Sequence, residues 1–313
     1  ILNPASAGGA TGRLVPALLA QVEARLGPVR VESTRGPREA ERIARAACSA
    51  GVARILVAGG DGTTSEIVSG LLEASPPQRP TLGLLPLGSG CDLARTLGLP
   101  RDLDAALGVI ESAELRTIDA ARIEYRDASG AASRGYFVNE VSAGLSGATV
   151  RLVEDSKKRL GSRLGFIAGT LGAILGHRPA ELAVEIDGER IYEGPVSLVV
   201  AANGCYFGAG MRVAPAASID DGALEVILVR GLSIPRLLAN LPSFYFGRHV
   251  RHPSVSRHAA RKLALIPKQI GTPIDVDGEG LGTLPLCAEI LPGALRVFAP
   301  TPIPIPAPNS SSR

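Results

Sequence analysis

Two glycine-rich loops carry the residues whose types and spacing could do chemistry. The first is 59–63 (GGDGT), directly after the apolar run 54–58, and the second is 86–92 (PLGSGCD), directly after the apolar run 81–85. Glycines let backbone N–H groups approach a phosphate, and a helix that begins in such a loop adds the positive end of its dipole. Each loop also holds a carboxylate, Asp61 or Asp92, which suits an anion site when a cation lies between the carboxylate and the phosphate. Together the loops predict phosphate binding with a divalent cation, whereas either loop alone could be a turn capped by its aspartate.

Alternating helical and strand-like segments position these loops. Apolar spacing predicts helices over 14–26 and 37–50 and a short strand over 28–32, and the runs 54–58 and 81–85 are typical of strands buried in a parallel sheet. Because the carboxyl ends of neighbouring parallel strands meet at one edge of a sheet, both loops should flank one crevice. We therefore predict a doubly wound α/β domain over residues 1–117.

The remaining sequence is rich in β-branched residues and turn pairs. Strand-like segments occupy 118–126, 135–141, 182–192, 195–201 and 222–229, with a helix predicted over 162–175. Such a run of strands predicts a mostly β domain, a β-sandwich, over 118–298. The segment 299–313 is a candidate to return to the first domain, and its Pro- and Ser-rich tail predicts extended or disordered chain.

Composition and charge exclude several function classes. The 313 residues include 33 basic and 30 acidic side chains and no Trp, which argues against a nucleic-acid partner. The four cysteines form no CxxC pair and predict reduced thiols in a cytoplasmic protein. The most apolar stretch, 164–176, has about half the ~20 residues needed to span a bilayer, so a soluble protein without a transmembrane segment is predicted. The chain shows no signal peptide and begins without Met, so we expect that something upstream has been removed.

Taken in order along the chain, these motifs resemble the diacylglycerol kinase catalytic domain. The resemblance includes Asn3-Pro4 and the two loops, then the segment 202–222 (ANG, GAG, APA and DDG), and finally 277–279 (DGE). It covers nearly the whole chain and is nearest to bacterial soluble lipid kinases, kin to sphingosine and ceramide kinases. A GGDG loop alone is shared with NAD kinases and phosphofructokinases, whose fold the first domain would share. The resemblance implies ATP- and Mg²⁺-dependent phosphorylation of a lipid hydroxyl, such as that of diacylglycerol, in a cleft between an ATP-binding and a lipid-binding domain.

The resemblance also implies roles for individual residues. Asp61 and Asp92 fall on the acidic positions that organise the phosphates and their metal ion. Glu279 falls on the proposed general base, with Asp277 beside it. Nucleotide-contacting positions fall on Asn3, Thr34, Gly59, Gly60, Asp61, Gly62, Thr63, Glu66, Gly88 and Ser89.

For two further sites, the structural metal site and the DGE motif, a turn is an alternative local geometry. The resemblance places a structural Mg²⁺ site at Asp221, with Ser218 and Ala223 contributing backbone carbonyls; an acidic turn is the simpler alternative. Asp277 and Glu279 would point to the same face of a predicted strand, because side chains two apart in a strand do so. A tight turn made of these residues is an equally acceptable geometry.

One departure from the family pattern leaves alternatives open. The second loop usually reads Gly-Thr-x-Asn-Asp, but here Ser89 replaces Thr and Cys91 replaces Asn. Ser89 keeps the hydroxyl, whereas Cys91 cannot supply the hydrogen bonds of an amide, which puts the positioning of Asp92 in question. A non-catalytic nucleotide- or lipid-binding protein is therefore one alternative. An NAD kinase is another, since Asn139-Glu140 echoes the Asn-Glu pair of that family.

Weaker signals concern the membrane and the lipid. The basic residues 157–159 and Arg163 precede the apolar stretch 164–175, a pattern that predicts peripheral contact with the anionic inner face of a membrane. A buried core helix with solvated charges at its start is equally consistent with it. The aromatic run 244–246 could line an acyl-chain groove or serve in ordinary packing, and a homodimer is compatible with the sequence.

Overall fold

The computed structural model describes residues 1–74, 79–147, 149, 152–153 and 162–301, and gives the backbone alone over 162–167. The predicted basic patch at 157–159 and the side chain of Arg163 lie outside the described residues, as does the tail beyond Thr301. In the part of the chain that is described, no helix is long and apolar enough to cross a membrane. All four cysteines are unpaired.

The N-terminal part is a parallel sheet with helices, as predicted. Strand β1 (Arg54–Gly59) pairs in parallel with β2 (Thr81–Pro86), and Gly59 lies opposite Pro86, so both strands end at one level. Leu2 adds parallel bridges to Ala58 and Ser33. The predicted strand over 28–32 is wrong, since Ser33 makes only that bridge. Pro28 has no N–H, and the side chains of Arg30 and Val31 are exposed, so little favours a longer ladder there.

Within the described residues, five α-helices accompany this sheet. They are α1 (Ala10–Leu26), α2 (Glu39–Ser49), α3 (Asp61–Glu73), α4 (Asp92–Thr96) and α5 (Leu103–Glu111). Helix α3 buries Ile67, Val68 and Leu71 completely in the core that it forms with β1 and β2. Because α3 and α4 begin at Asp61 and Asp92, the two glycine-rich loops become the N-terminal turns of helices at one edge of the sheet.

The rest of the described chain is dominated by antiparallel strands. They are β3 (Leu115–Arg126), β4 (Ala132–Phe137), β5 (Glu140–Gly144), β6 (Ala180–Ile186), β7 (Glu189–Ala202), β8 (Leu224–Arg230), β9 (Val255–Ala260), β10 (Lys262–Pro267), β11 (Pro273–Val276) and β12 (Glu279–Phe298). The predicted strand over 182–192 is instead a hairpin of β6 and β7. It turns at Asp187 and Gly188, which both have positive φ.

Two helices cover one face of these strands. Helix α6 (Ser162–Leu175) has the predicted bounds, and α7 is Ile234–Tyr245. Ile174 and Leu237 pack in one apolar cluster with Leu198 of β7 and Val229 of β8. The long strand β12 runs antiparallel to β3 and ends in parallel beside β2, where Val297 pairs with Leu82. This last strand therefore ties the β-rich part to the parallel sheet.

Candidate active site

A cavity of about 990 Å³ opens at the edge where the two glycine-rich loops end. Its polar part is lined by Asp61, Ser89 and Asp92 from the loops and by Glu279 from the first residue of β12. Its apolar part lies over strands β7 and β8 and under helices α6 and α7. The apolar lining includes Ile174, Leu198, Met211, Val229, Leu237, Leu241 and Phe244. One continuous space thus joins the edge formed by the glycine-rich loops to an apolar interior.

The two loops touch through their glycines. A Cβ atom on Gly88 would overlap the Cα atom of Gly60, and a Cβ atom on Gly60 would lie 3.2 Å from the Cα atom of Gly88. The second domain contacts the first loop through Glu279, since a Cβ atom on Gly62 would lie 3.0 Å from Oε1 of Glu279. The backbones of the two loops therefore form one surface, and side chains at these glycine positions would push the loops apart. The Glu279 carboxylate lies next to this surface.

Two carboxylates lie close together beside that surface, Asp92 buried and Asp61 half-buried. Asp61 accepts a 3.2 Å hydrogen bond from the N–H of Leu93, and Asp92 accepts a 2.9 Å hydrogen bond from the N–H of Ala209. The remaining oxygen of Asp92, Oδ1, is buried without a hydrogen-bond partner among the described residues. Burial and the negative charge of Asp61 raise the pKa of Asp92 to about 6, and burial also raises the pKa of Asp61. Oδ1 of Asp92 lies 3.8 Å from Nε of Arg95, and a carboxylate pair in which one oxygen accepts no hydrogen bond fits a bound divalent cation.

Cys91 occupies a position that an Asn would tolerate more easily. Its φ is 53°, a left-handed conformation in which Asn is favoured over most side chains, and its Sγ donates to the carbonyl of Gly88 at 3.2 Å. The thiol thus forms a hydrogen bond within the second glycine-rich loop. Since Ala209 of the second domain holds Asp92, the position of that carboxylate does not depend on an amide at residue 91.

Replacing Asp92 with Asn should stabilise the protein by about 1–3 kcal/mol near neutral pH. The folded-state pKa of about 6 lies above the usual 3.8, so ionised Asp92 costs stability that sets in as the pH rises through 4 to 6. Urea unfolding at pH 4.5 and at pH 8 should therefore show a larger gain for Asp92→Asn at pH 8, together with lost activity. Asp104→Asn, at an exposed aspartate, should shift stability by less than about 0.5 kcal/mol at both values. An equal gain at both pH values for Asp92→Asn would refute the assigned cause.

The predicted strand containing Asp277 and Glu279 is wrong, and the turn alternative is observed. Asp277 and Gly278 have φ of 50° and 88° and form the two-residue turn between β11 and β12. The carboxylate of Asp277 accepts hydrogen bonds from the N–H groups of Val138, Asn139 and Glu140 at 2.9 to 3.1 Å. These bonds also explain why the predicted strand over 135–141 is interrupted between β4 and β5. Asp277 thus anchors the turn that presents Glu279 and does not share a strand face with it.

Other predicted nucleotide contacts lie near the same edge. Asn3 donates from Nδ2 to the hydroxyl of Thr63 at 2.9 Å, which joins the N-terminal residues to the first loop. Thr34 is buried beside Leu2, to whose carbonyl it donates its backbone N–H. The carboxylate of Glu66, by contrast, accepts from the backbone N–H groups of residues 38 and 40 and so caps helix α2. Its contacts assign Glu66 to the packing of α2 on α3.

The segment predicted to hold a structural metal ion is an acidic turn. Ser218 donates to Asp220 at 2.9 Å, and Asp221 accepts from the N–H of Ala223 at 3.0 Å. The sequence did not reveal Asp119, whose carboxylate accepts from the N–H groups of residues 222 and 293 at 2.7 Å each. Partial burial and the charges of Asp119 and Asp220 raise the pKa of Asp221. Within the described residues no three His, Cys, Asp or Glu side chains form a metal cluster, so a cation here would depend largely on carbonyl oxygens.

The cavity also contains charged residues that the sequence reasoning did not assign to it. Arg101 donates to the carbonyls of Gly88 and Ser89 at 3.0 and 3.2 Å and so braces the second loop. Glu140 and Asp275 are buried in its wall. The available signal was a lone acidic residue in each of two apolar strand segments, 137–141 and 274–276.

Comparisons with known proteins agree with this architecture. Residues 1–123 match the family model described as the diacylglycerol kinase catalytic domain. Residues 139–299 match the model described as the YegS C-terminal NAD kinase beta sandwich-like domain. A "Probable lipid kinase YegS-like" from Chromohalobacter salexigens is 35% identical over 271 residues, which cover 83% of this chain and 80% of that protein. A "Probable lipid kinase YegS" from Shigella flexneri is 28% identical, with coverages of 88% and 87%.

Solved structures show the same fold at lower identity. A crystal structure described as a diacylglycerol kinase from Bacillus anthracis has a TM-score of 0.71 and 22% identity, covering 96% of this chain and 95% of that one. A yeast NADH kinase complexed with NADH has a TM-score of 0.52 and 11% identity, covering 93% and 80%. The predicted NAD kinase-like first domain and the β-sandwich-like second domain are therefore confirmed.

Proposed function

Because the chain belongs to the diacylglycerol kinase catalytic-domain family, we propose that it transfers the γ-phosphate of ATP to the hydroxyl group of a lipid. The observation that carries this proposal is the continuity of the cavity, which runs from the glycine-rich loops to the apolar cluster under α6 and α7. A water-soluble acceptor such as NAD would gain little from that apolar half. An acyl chain would bury its surface there at roughly 25 cal/mol per Å².

The donor half is built for a triphosphate. The N-terminal turns of α3 and α4 bring the positive ends of two helices to one edge, and the N–H of Leu93 in α4 is directed at the carboxylate of Asp61. The contact between Gly60 and Gly88 leaves room for phosphate oxygens where side chains would otherwise stand. We assign residues 1–117 to ATP binding and residues 118–298 to the lipid, which would be taken from a membrane surface.

The carboxylates beside the loops fit Mg²⁺. Asp61 and Asp92 would hold the ion that accompanies ATP, because Oδ1 of Asp92 is buried without a hydrogen bond among the described residues. Mg²⁺ would supply charge neutralisation for the phosphates. A second, structural ion would be held by Asp221 with the carbonyls of Ser218 and Ala223.

We assign the role of general base to Glu279. Its carboxylate lies against Gly62, at the junction of the loop surface and the apolar half, where the acceptor hydroxyl must meet the phosphate. Removing the hydroxyl proton in the transition state makes the oxygen a better nucleophile. Asp277 keeps the turn in place by binding three backbone N–H groups, and acts as a positioning residue.

The test is transfer of label from [γ-³²P]ATP to a panel of lipids in detergent micelles, with NAD as a separate acceptor. Wild-type protein should label at least one lipid in the presence of Mg²⁺, and Asp61→Asn should lose this labelling, since the variant removes a carboxylate beside the phosphates. Labelled NAD without labelled lipid would move the protein to the alternative kinase class. Bound ATP with no labelled product from any acceptor would favour the non-catalytic alternative.

A further inference from the structure

A buried pair of acids, neither of them part of a glycine-rich loop, lies in the cavity wall. Glu140 is 1% exposed and Asp275 is 4% exposed. Ser142 pairs directly with Asp275 of β11 and with Val200 of β7, and Glu140 pairs with Ala202. Directly paired residues project to the same face of a sheet, as do residues two apart in a strand. The two acids therefore share the face whose apolar residues form the floor under α6 and α7.

The carboxylate of Glu140 is poorly supplied with hydrogen-bond donors. Both of its oxygens are buried and accept no hydrogen bond of full geometry among the described residues, and the nearby hydroxyl of Ser142 gives only partial stabilisation to its charge. Asp275 accepts only the N–H of Gly278, at 2.9 Å, among its recorded hydrogen bonds. An unsatisfied buried carboxyl group costs several kcal/mol, so a position of this kind points to a ligand that supplies the missing donors.

The protein itself offers no cation to these acids within the described residues. The two arginines that line the cavity are engaged elsewhere. Arg101 bonds to the carbonyls of the second loop, and Arg95 lies 3.8 Å from Asp92 and 5.6 Å from the ring centre of Tyr206. The ion pairs recorded in the described part of the chain include none to Glu140 or Asp275. A positive charge beside these acids would therefore have to come with a ligand.

The electrostatics of the pair agree with this reading. Burial, together with the charges of Asp275, Asp277 and Asp92, raises the pKa of Glu140 well above 4.5. Burial raises the pKa of Asp275 to about 7, with Asp277 and Glu279 contributing. Negative charge is thus crowded at the place where the apolar floor meets Glu279. A cationic group beside the acceptor hydroxyl would relieve that repulsion.

We propose that Glu140, together with Asp275, binds a protonated amine that the acceptor lipid carries next to the hydroxyl to be phosphorylated. The proposal rests on the lipid kinase function above and narrows the acceptor to amino-alcohol lipids. A primary ammonium supplies three N–H donors and one positive charge. The carboxylate oxygens of Glu140 and Asp275 are buried acceptors that lack a charged donor among the described residues, so an ammonium would suit them. The apolar half receives the chain, Glu140 and Asp275 hold the ammonium, and the neighbouring hydroxyl gives its proton to Glu279. Glu140 is then a specificity-determining residue.

The test compares two matched acceptors, a long-chain 2-amino-1-alcohol and its N-acetyl derivative, in micelles of neutral detergent. Wild-type protein should prefer the free amine by at least about tenfold in kcat/KM, the effect of about 1.4 kcal/mol. Glu140→Gln keeps the shape of the side chain but lacks the charge, so the preference should fall to about twofold or less. The matched control is Glu41→Gln, at a buried glutamate of α2 that pairs with arginines outside the cavity, and it should keep the wild-type preference.

A second measurement does not depend on the folding of a variant. Dodecylamine should inhibit the wild-type reaction competitively with the acceptor, and dodecanol should inhibit at least about tenfold more weakly. Equal use of the two acceptors, equal inhibition by the two compounds, or an amine preference that survives Glu140→Gln would overturn the role of Glu140 while leaving the lipid kinase proposal intact. If wild-type protein labels neither these acceptors nor any other lipid, the proposed function fails first and this inference fails with it.

Discussion

The variant Glu279→Gln should lose turnover by about 10²- to 10⁴-fold in kcat while still binding ATP. Glutamine has almost the same shape, so the contact with Gly62 should persist. An amide, however, cannot take the proton of the attacking hydroxyl. The measurement is steady-state phosphorylation of the best lipid acceptor, together with ATP binding by equilibrium dialysis.

A control variant in the same strand shows whether losing a carboxylate charge matters only inside the cavity or anywhere on the strand. Glu289 of β12 is half-exposed and pairs with Arg122 on β3, outside the cavity lining. Glu289→Gln should therefore keep kcat within about twofold of the wild-type value, because exposed ion pairs contribute only about 0–1 kcal/mol. A Glu279→Gln variant with near-normal kcat would remove this residue from the base role and require another acceptor for the proton.

The variant Gly88→Ala should lower kcat/KM for ATP by about 10²-fold and destabilise the fold by about 1–3 kcal/mol. The new Cβ atom would overlap the Cα atom of Gly60, so one of the two loop backbones must move. Because backbone on both sides is fixed by strands β1 and β2, the strain cannot be relieved by a side-chain rotation. ATP kinetics and urea unfolding measure the two effects.

An alanine at a different glycine provides the matched control with the opposite sign. A Cβ atom added at Gly108 of helix α5 would contact only the end of the Arg25 side chain, at 3.9 Å. Gly108→Ala should leave ATP kinetics unchanged and raise stability by about 0.5–1 kcal/mol, because alanine favours the helix. If Gly88→Ala behaved like Gly108→Ala, the proposal that the two loops form a single phosphate-binding surface would be wrong.

The sequence was sufficient to predict the edge at which the loops meet. Two apolar runs, each followed by glycines and a helix, leave little choice except neighbouring parallel strands. The register confirms this, with Gly59 opposite Pro86. The position of Asp92 could not be predicted, because its hydrogen bond comes from Ala209, which is distant in sequence.

The misread elements share a physical cause. A spacing of two fits both a strand face and a tight turn, and Asp-Gly at positive φ favours the turn between β11 and β12. The interruption at 138–139 and the burial of Glu140 both follow from contacts with the distant segment 275–277. A local sequence pattern indicates which residues are apolar. It does not indicate which distant backbone groups will form hydrogen bonds with the polar residues.

The coupling between ATP consumption and lipid phosphorylation tests the central claim most directly. Purified wild-type protein, [γ-³²P]ATP and Mg²⁺ would be incubated with and without the best acceptor lipid, and ADP and labelled lipid would be measured together. If donor and acceptor react within one cavity, ADP should form only when lipid is present, with one labelled lipid for each ADP. ADP formation at the same rate without lipid, or label that never reaches a lipid, would contradict the account.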